Sequence, residues 1–256
     1  MATFILVHGA GTGGWLWDAE AAELRRRGHR VYSPTLSGTG ERTNDGGPGI
    51  SLSTHIAEVR HLVQTLHDRV LLVGFSYGGL VVGGAAECVP HRIAALVYLD
   101  ALMPENGRSM FDYLPAEVKT ALQDAAATTG DGWRMPPVPL PKLGDLGPFG
   151  DGIDPDAIRE VLAKRGAHPI GTYREHAKVS NAAAQRIPRI FIACTSHGGA
   201  DPMTSAAEKA RTAGIPVIEI ETGHFPMLSK PVELADILSG AAATTEREHS
   251  APSTAS

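Results

Sequence analysis

The stretch Gly74-Phe75-Ser76-Tyr77-Gly78-Gly79 constrains this chain more than any other, because it follows directly on the apolar run Val70 to Val73 and opens a helical run, Leu80 to Glu87. The order is strand, G-x-S-x-G turn, helix. A turn this sharp forces its serine into strained backbone geometry, and side chains two residues to either side would collide with the neighbouring helix and strand, so glycines are needed at 74 and 78. The Ser76 hydroxyl is then expected to project above a sheet at the N-terminus of a helix, whose partial positive charge favours an anion. A glycine-rich turn with an incidental serine is the competing reading. Placement between strand and helix favours a nucleophile.

Similar apolar or β-branched runs recur at Phe4 to Val7, Val31 to Ser33, Ile93 to Leu99, Ile190 to Ala193 and Val217 to Ile220. Runs of this length suit strands buried on both faces of a parallel sheet. Amphipathic stretches separate them: Ile56, Val59, Leu62, Val63 and Leu66 share a helical face, and Gly28 closes the segment Trp17 to Arg27 as a C-terminal stop does. The alternation predicts an α/β fold, a mostly parallel sheet of about six strands with helices on both faces and right-handed crossovers.

One stretch breaks the rhythm. From Met103 to about Ile187 no strand pattern appears, only helical pieces (Ala116 to Ala127, Pro155 to Lys164) around the Pro/Gly-rich segment Pro136 to Gly152. This reads as an inserted helical lid, 103–187, in a single domain 1–240 whose core is 1–102 and 188–240. The tail 241–256 has no apolar periodicity and is expected to be disordered.

Composition narrows the function. Apolar residues make up 43% and charged residues 20%, as in a soluble globular protein. The net charge of -5 offers no basic footprint, so nucleic acid is not an expected partner. Cys88 and Cys194 each lie in an apolar stretch, which excludes a disulfide framework and a cysteine-rich metal site; neither a metal nor a cofactor is expected. No apolar run approaches the ~18 residues of a membrane span. The chain passes from Met1-Ala2 straight into Thr3-Phe4-Ile5-Leu6-Val7 with neither a basic n-region nor a small-residue cleavage site, so a cytoplasmic protein without a membrane partner is expected. These features leave the oligomeric state open, a homodimer included.

A second glycine-rich loop, His8-Gly9-Ala10-Gly11-Thr12-Gly13-Gly14, follows the first strand. Such a loop brings a backbone N–H to the site, where it joins the N–H of the residue after the nucleophile in an oxyanion hole; this assigns Ala10 and Tyr77. A dinucleotide-binding turn would need an acidic residue ~20 positions on, where the chain has Tyr32-Ser33-Pro34 instead. His224, in Glu221-Thr222-Gly223-His224 after the last strand, is the candidate general base, since loops at the carboxyl ends of parallel strands share one edge. His55, His61 and His67 are spaced six apart, which does not suit one metal on one helix face, and a solvated helix face is expected for them. The orienting acid is open. Asp201 is the only carboxylate just after the strand Ile190 to Ala193, Asp100 at the tip of the strand before the insertion is the alternative, and a site without an acid is the third reading.

At this point the chain resembles the α/β-hydrolase fold, and within it the small single-domain group that includes plant methylesterases and hydroxynitrile lyases, with many bacterial relatives. The likeness runs from Thr3 to about Ser239 and rests on Val7-His8-Gly9-Ala10-Gly11, Gly28-His29-Arg30-Val31, the Ser76 turn, Leu99-Asp100-Ala101-Leu102-Met103-Pro104 and Gly223-His224. The lyases of the group place a threonine after the first-loop histidine and a lysine after the catalytic histidine. Here those positions are Gly9 and Phe225, which fits the esterase-like pattern. Counting back from His224, the family's aspartate falls near Ser196 or His197, so Asp201 sits a few residues late. Epoxide hydrolases and haloalkane dehalogenases resemble the group but need an aspartate where Ser76 stands.

The sequence therefore predicts a serine-dependent hydrolase of a small, largely apolar carboxylic ester, lactone or thioester. Met103, Phe111, Trp133 and Phe149, with Met110 and Tyr113, are candidate pocket walls from the insertion. Lyase, decarboxylase, cyclase or acyl-transfer chemistry on the same residues, and a non-catalytic ligand-binding protein, are the alternatives.

Overall fold

The computed structural model describes residues 1–137, 152–196 and 202–250. In chain order its strands are β1 (Thr3–Val7), β2 (Arg30–Tyr32), β3 (Val70–Phe75), β4 (Ile93–Leu99), the short pair β5 (Arg134–Met135) and β6 (His168–Pro169), then β7 (Arg189–Cys194) and β8 (Val217–Ile220). The main helices are α1 (Asp18–Arg26), α2 (Leu52–Thr65), α3 (Gly78–Cys88), α4 (Ala116–Thr129), α5 (Pro155–Lys164), α6 (Gly171–Arg174), α7 (Ala182–Gln185), α8 (Pro202–Thr212), α9 (Pro226–Ser229) and α10 (Pro231–Ser250).

The six-stranded sheet runs β2-β1-β3-β4-β7-β8, and every neighbouring pair is parallel. Alternation along each strand sends residues to opposite faces. Ile5 and Val7, Leu72, Leu96 and Tyr98, and Phe191 join a core shared with α2, α3 and α8. Phe4 and Leu6, Leu71 and Val73, Val97 and Leu99, and Ile192 join the opposite core, shared with α1 and α10. Both faces of the central strands are covered, which is why their sequences read as unbroken apolar runs. Burying one Leu or Ile side chain in either core stabilises the fold by about 1.5–3 kcal/mol.

Parallel pairing puts the carboxyl ends of all these strands on one edge. The order changes direction between β1 and β3, so the loops leaving them diverge and open a crevice at that edge. The loop after β1 holds Ala10, and the turn after β3 holds Ser76. Helix α1 stops where the sequence predicts: Gly28 adopts φ +85°, its N–H donates to the Arg25 carbonyl (2.9 Å), and the His29 N–H donates to the Leu24 carbonyl (3.1 Å). This paired C-terminal cap needs a left-handed residue, which glycine supplies without strain.

Two expectations are corrected. The segment from Met103 to Ile187 is not wholly without strands, because β5 and β6 pair antiparallel inside it, Met135 opposite His168. These two-residue strands are too short to leave an alternating pattern. Nor is the tail from 241 disordered as expected: α10 continues through it to Ser250, with Ala241, Ala242 and Thr245 buried. Small residues hid this amphipathic face. No helix among the described residues is long and apolar enough to cross a membrane.

Candidate active site

Ser76 sits at φ 54°, in the left-handed region that a non-glycine residue enters only under constraint. The constraint is steric closeness on both sides. A Cβ on Gly74 would come within 2.6 Å of the Gly78 carbonyl oxygen, and one on Gly78 within 2.6 Å of the Val7 and 2.8 Å of the His8 carbonyl oxygens. Strand β3, helix α3 and the end of β1 therefore meet here at backbone contact. The Ser76 N–H donates to the Leu99 carbonyl (3.3 Å), and the Ser76 carbonyl accepts from the Leu102 N–H (3.2 Å), which ties the turn to the tip of β4.

Asp100 lies between those two residues. It too has a positive φ, 41°, and is almost wholly buried. Its N–H donates to the Ile192 carbonyl (2.7 Å), and its Oδ1 accepts from the Cys194 N–H (3.3 Å), so both sides of the β4/β7 junction hold it. Its Oδ2 lies 2.6 Å from His224 Nδ1. A carboxylate on Nδ1 fixes the proton there and leaves the acceptor lone pair on Nε2. The His224 ring packs on Phe75, the residue before Ser76, with ring centroids 4.6 Å apart, and Phe225 packs on the same ring at 5.5 Å. The aromatic contacts hold the imidazole beside the serine turn.

Asp201, the first candidate for the acid, lies outside the described residues. The Nδ1 position it was expected to fill is taken by the alternative, Asp100. The reason is topological: β4 and β7 are neighbours, so a residue just past β4 occupies the same edge as one just past β7. Burial, with the Asp100 carboxylate nearby, pushes the Cys194 thiol up, and it stays protonated.

The loop after β1 rests on a buried cluster of histidines. His8 Nδ1 lies 2.8 Å from the Gly9 carbonyl and donates to it, while His8 Nε2 accepts from the Leu36 N–H (3.1 Å). The Gly11 N–H donates to His168 Nδ1 (3.3 Å), and His168 Nε2 lies 2.9 Å from the Thr172 hydroxyl. The Tyr77 hydroxyl donates to His55 Nδ1 (2.9 Å), whose Nε2 donates to the Ser37 carbonyl (2.9 Å). Burial lowers His8 to about 4, lowers His55, and pushes His168 well below the usual histidine range, so the cluster is neutral at physiological pH. Among the described residues the Ala10 and Tyr77 amides are not spent on other backbone groups.

His55 corrects the solvated-face expectation. His61 and His67 are exposed, but His55 points inward against Tyr77. Its neighbours Leu52 and Val59, three back and four on, are buried on the same face, a signal that the six-residue spacing of the histidines obscured. Neither His8 nor His168 was singled out from the sequence.

The expected pocket walls divide. Met103 is half-buried and lines a groove of about 710 Å³ with Leu102, Tyr113, Leu114 and Ile215; neither Ser76 nor His224 is among its described lining residues. Phe111 is buried edge-on against Tyr173 (5.5 Å), which makes it core packing rather than a wall. Trp133 is half-exposed with the Arg134 guanidinium over its ring at 4.3 Å. Phe149 lies outside the described residues. No group of three or more His, Cys, Asp or Glu among the described residues is placed to hold a metal ion.

A strained serine at the switch point of a parallel sheet, beside a carboxylate-bound histidine, defines a class. The model of the alpha/beta hydrolase family matches residues 4–237. The chain belongs to this family, as an enzyme of the esterase type. It is 33% identical over 249 residues to a carbendazim hydrolyzing esterase of a Nocardioides species, covering 93% of this chain and 98% of the relative. It is 27% identical to methylesterase 1 of Arabidopsis thaliana, covering 91% and 93%. Among solved structures, an extracellular alpha/beta-hydrolase from a Paenibacillus species superposes with a TM-score of 0.79 at 23% identity, covering 94% of this chain and 99% of that one, which supports the fold.

Proposed function

We propose that the protein hydrolyses a small carboxylic or carbamic ester through an acyl-serine intermediate. Ser76 Oγ attacks the carbonyl carbon while His224 Nε2 takes its proton. The Asp100 carboxylate holds the His224 Nδ1 proton and stabilises the imidazolium that forms. The Ala10 and Tyr77 amides bind the oxygen on which negative charge develops, in a site where preorganised donors are worth far more than in water. His224 returns the proton to the leaving alcohol, and the acyl-serine remains. Water, deprotonated by the same imidazole, then attacks the acyl carbon, and the acid leaves as Ser76 regains its proton.

The observation that carries this reading is the 2.6 Å bond between Asp100 and His224 beside the strained turn of Ser76. A binding protein has no need of a buried carboxylate that fixes one imidazole tautomer. The esterase relatives support the ester as substrate class, and the carbendazim relative makes that compound a direct probe.

Fluorophosphonate labelling with mass-spectrometric mapping tests the reading. Labelling is expected at Ser76, together with burst release of p-nitrophenol from a short-chain ester that is lost in Ser76→Ala and in His224→Ala. Substantial turnover of the ester by Ser76→Ala would sink the acyl-serine step.

A further inference from the structure

The loop that carries Ala10 is braced from outside as well as by its own bonds from His8 and Thr12 to the Gly9 carbonyl. Gly11, the next residue, sits at φ +69°, and both of its backbone groups are bonded to the insertion between β4 and β7. The Gly11 carbonyl accepts from the Gly166 N–H (2.9 Å), and the Gly11 N–H donates to His168 Nδ1 (3.3 Å). The amide that His168 engages belongs to the peptide unit directly after Ala10, so its orientation sets the plane in which the Ala10 residue turns.

His168 is itself over-determined. Its Nε2 donates to the Thr172 hydroxyl at 2.9 Å, and that hydroxyl donates to the Pro169 carbonyl at 2.7 Å, which fixes the tautomer and leaves Nδ1 as acceptor. Its ring stands edge-on to Tyr77 with centroids 4.8 Å apart. One side chain thus touches both segments assigned to the oxyanion hole, the Ala10 loop by a hydrogen bond and the Tyr77 turn by ring packing. Nothing in the ester chemistry itself requires a histidine here.

We propose that His168 is a positioning residue for the oxyanion hole, fixing the Ala10–Gly11 peptide through the Gly11 amide so that the hole is complete only while the insertion is docked. The inference rests on the hydrolytic reading. Its chemical consequence is selective: interactions that orient an oxyanion donor act in the transition state, so their loss lowers kcat and leaves KM nearly unchanged. Burial keeps the imidazole neutral, which preserves the Nδ1 lone pair.

Two near-isosteric variants separate positioning from bulk packing. In His168→Asn the side-chain oxygen overlays Nδ1 and still accepts from Gly11. In His168→Gln the amide overlays Nε2 and keeps the Thr172 contact instead. Expected for His168→Gln is a kcat at least tenfold lower with KM within twofold, while His168→Asn stays within about threefold of wild type. Glycine-selective 15N labelling reads the bond itself: the Gly11 amide exchanges slowly in wild type and His168→Asn and at least tenfold faster in His168→Gln. Equal kcat in both variants, or equal Gly11 exchange in all three proteins, overturns the proposal. Failure of the hydrolytic reading would appear elsewhere, as Ser76→Ala retaining turnover, and would leave the exchange comparison intact.

Discussion

His224 Nδ1 and Asp100 Oδ2 stand 2.6 Å apart although 124 positions separate them in the chain. A buried carboxylate on Nδ1 selects the tautomer that can accept a proton on Nε2. Asp100→Asn is therefore expected to lower kcat on a p-nitrophenyl ester by about 10⁴, the scale seen when a triad imidazole is held in the wrong tautomer. Asp201→Asn is expected to leave kcat within about threefold, since the Nδ1 position is already filled. A reversed ranking of the two variants in steady-state kinetics would return the role to Asp201.

Tyr77 contributes its backbone to the proposed hole and its side chain to the buried histidine cluster. In Tyr77→Phe the His55 Nδ1 acceptor loses its donor, which costs about 1–3 kcal/mol. Urea denaturation should show that loss while kcat stays within a few-fold. A large fall in kcat at unchanged stability would mean the hydroxyl itself enters the chemistry.

Gly78 marks the closest backbone approach at the serine turn. A methyl group there meets the Val7 and His8 carbonyl oxygens at 2.6 and 2.8 Å. Gly78→Ala is expected to cost about 1–3 kcal/mol, as overpacking does. Because β1 leads directly into the Ala10 loop, the rate of fluorophosphonate labelling at Ser76 should fall as well. Wild-type stability and labelling rate in this variant would show that the contact relaxes without strain.

Glu20, on α1, is buried, and neither of its carboxyl oxygens has a hydrogen-bond partner among the described residues. Burial raises its pKa from 4.5 to about 8, against the opposing pull of Arg27. A carboxyl whose folded pKa lies above its unfolded value favours folding fully below the unfolded pKa, and that contribution is lost as pH rises to the folded pKa. Glu20→Gln should thus stabilise the protein increasingly from about pH 4.5 to about pH 8, then by a constant amount. Urea midpoints at pH 5 and pH 8.5 check the trend, and an equal difference at both would contradict it.

Much of the architecture is legible along the chain. Apolar runs locate the six strands of the main sheet to within two residues at their ends, because strands covered on both faces carry their burial in uninterrupted sequence. The Ser76 turn is legible for a related reason: its glycines at 74 and 78 answer contacts within 2.6 Å that no other residue permits. Local signals fail where elements are short or their buried face is built from small residues. β5 and β6 have two residues each, and the inner face of α10 beyond Gly240 is made of Ala241, Ala242 and Thr245.

By itself the sequence determined the fold class and singled out the candidate nucleophile and base, since each signal lies in residues adjacent in the chain: strand, turn and helix around Ser76, and the end of the last strand before His224. Only the tertiary structure decided which carboxylate meets His224 and which side chain braces the loop that carries Ala10. Asp100 and His168 reach their partners, His224 and Gly11, across 124 and 157 positions. Strand order and the docking of the insertion create those contacts, and no local pattern records which of several carboxylates or histidines the packing brings to the edge of the sheet.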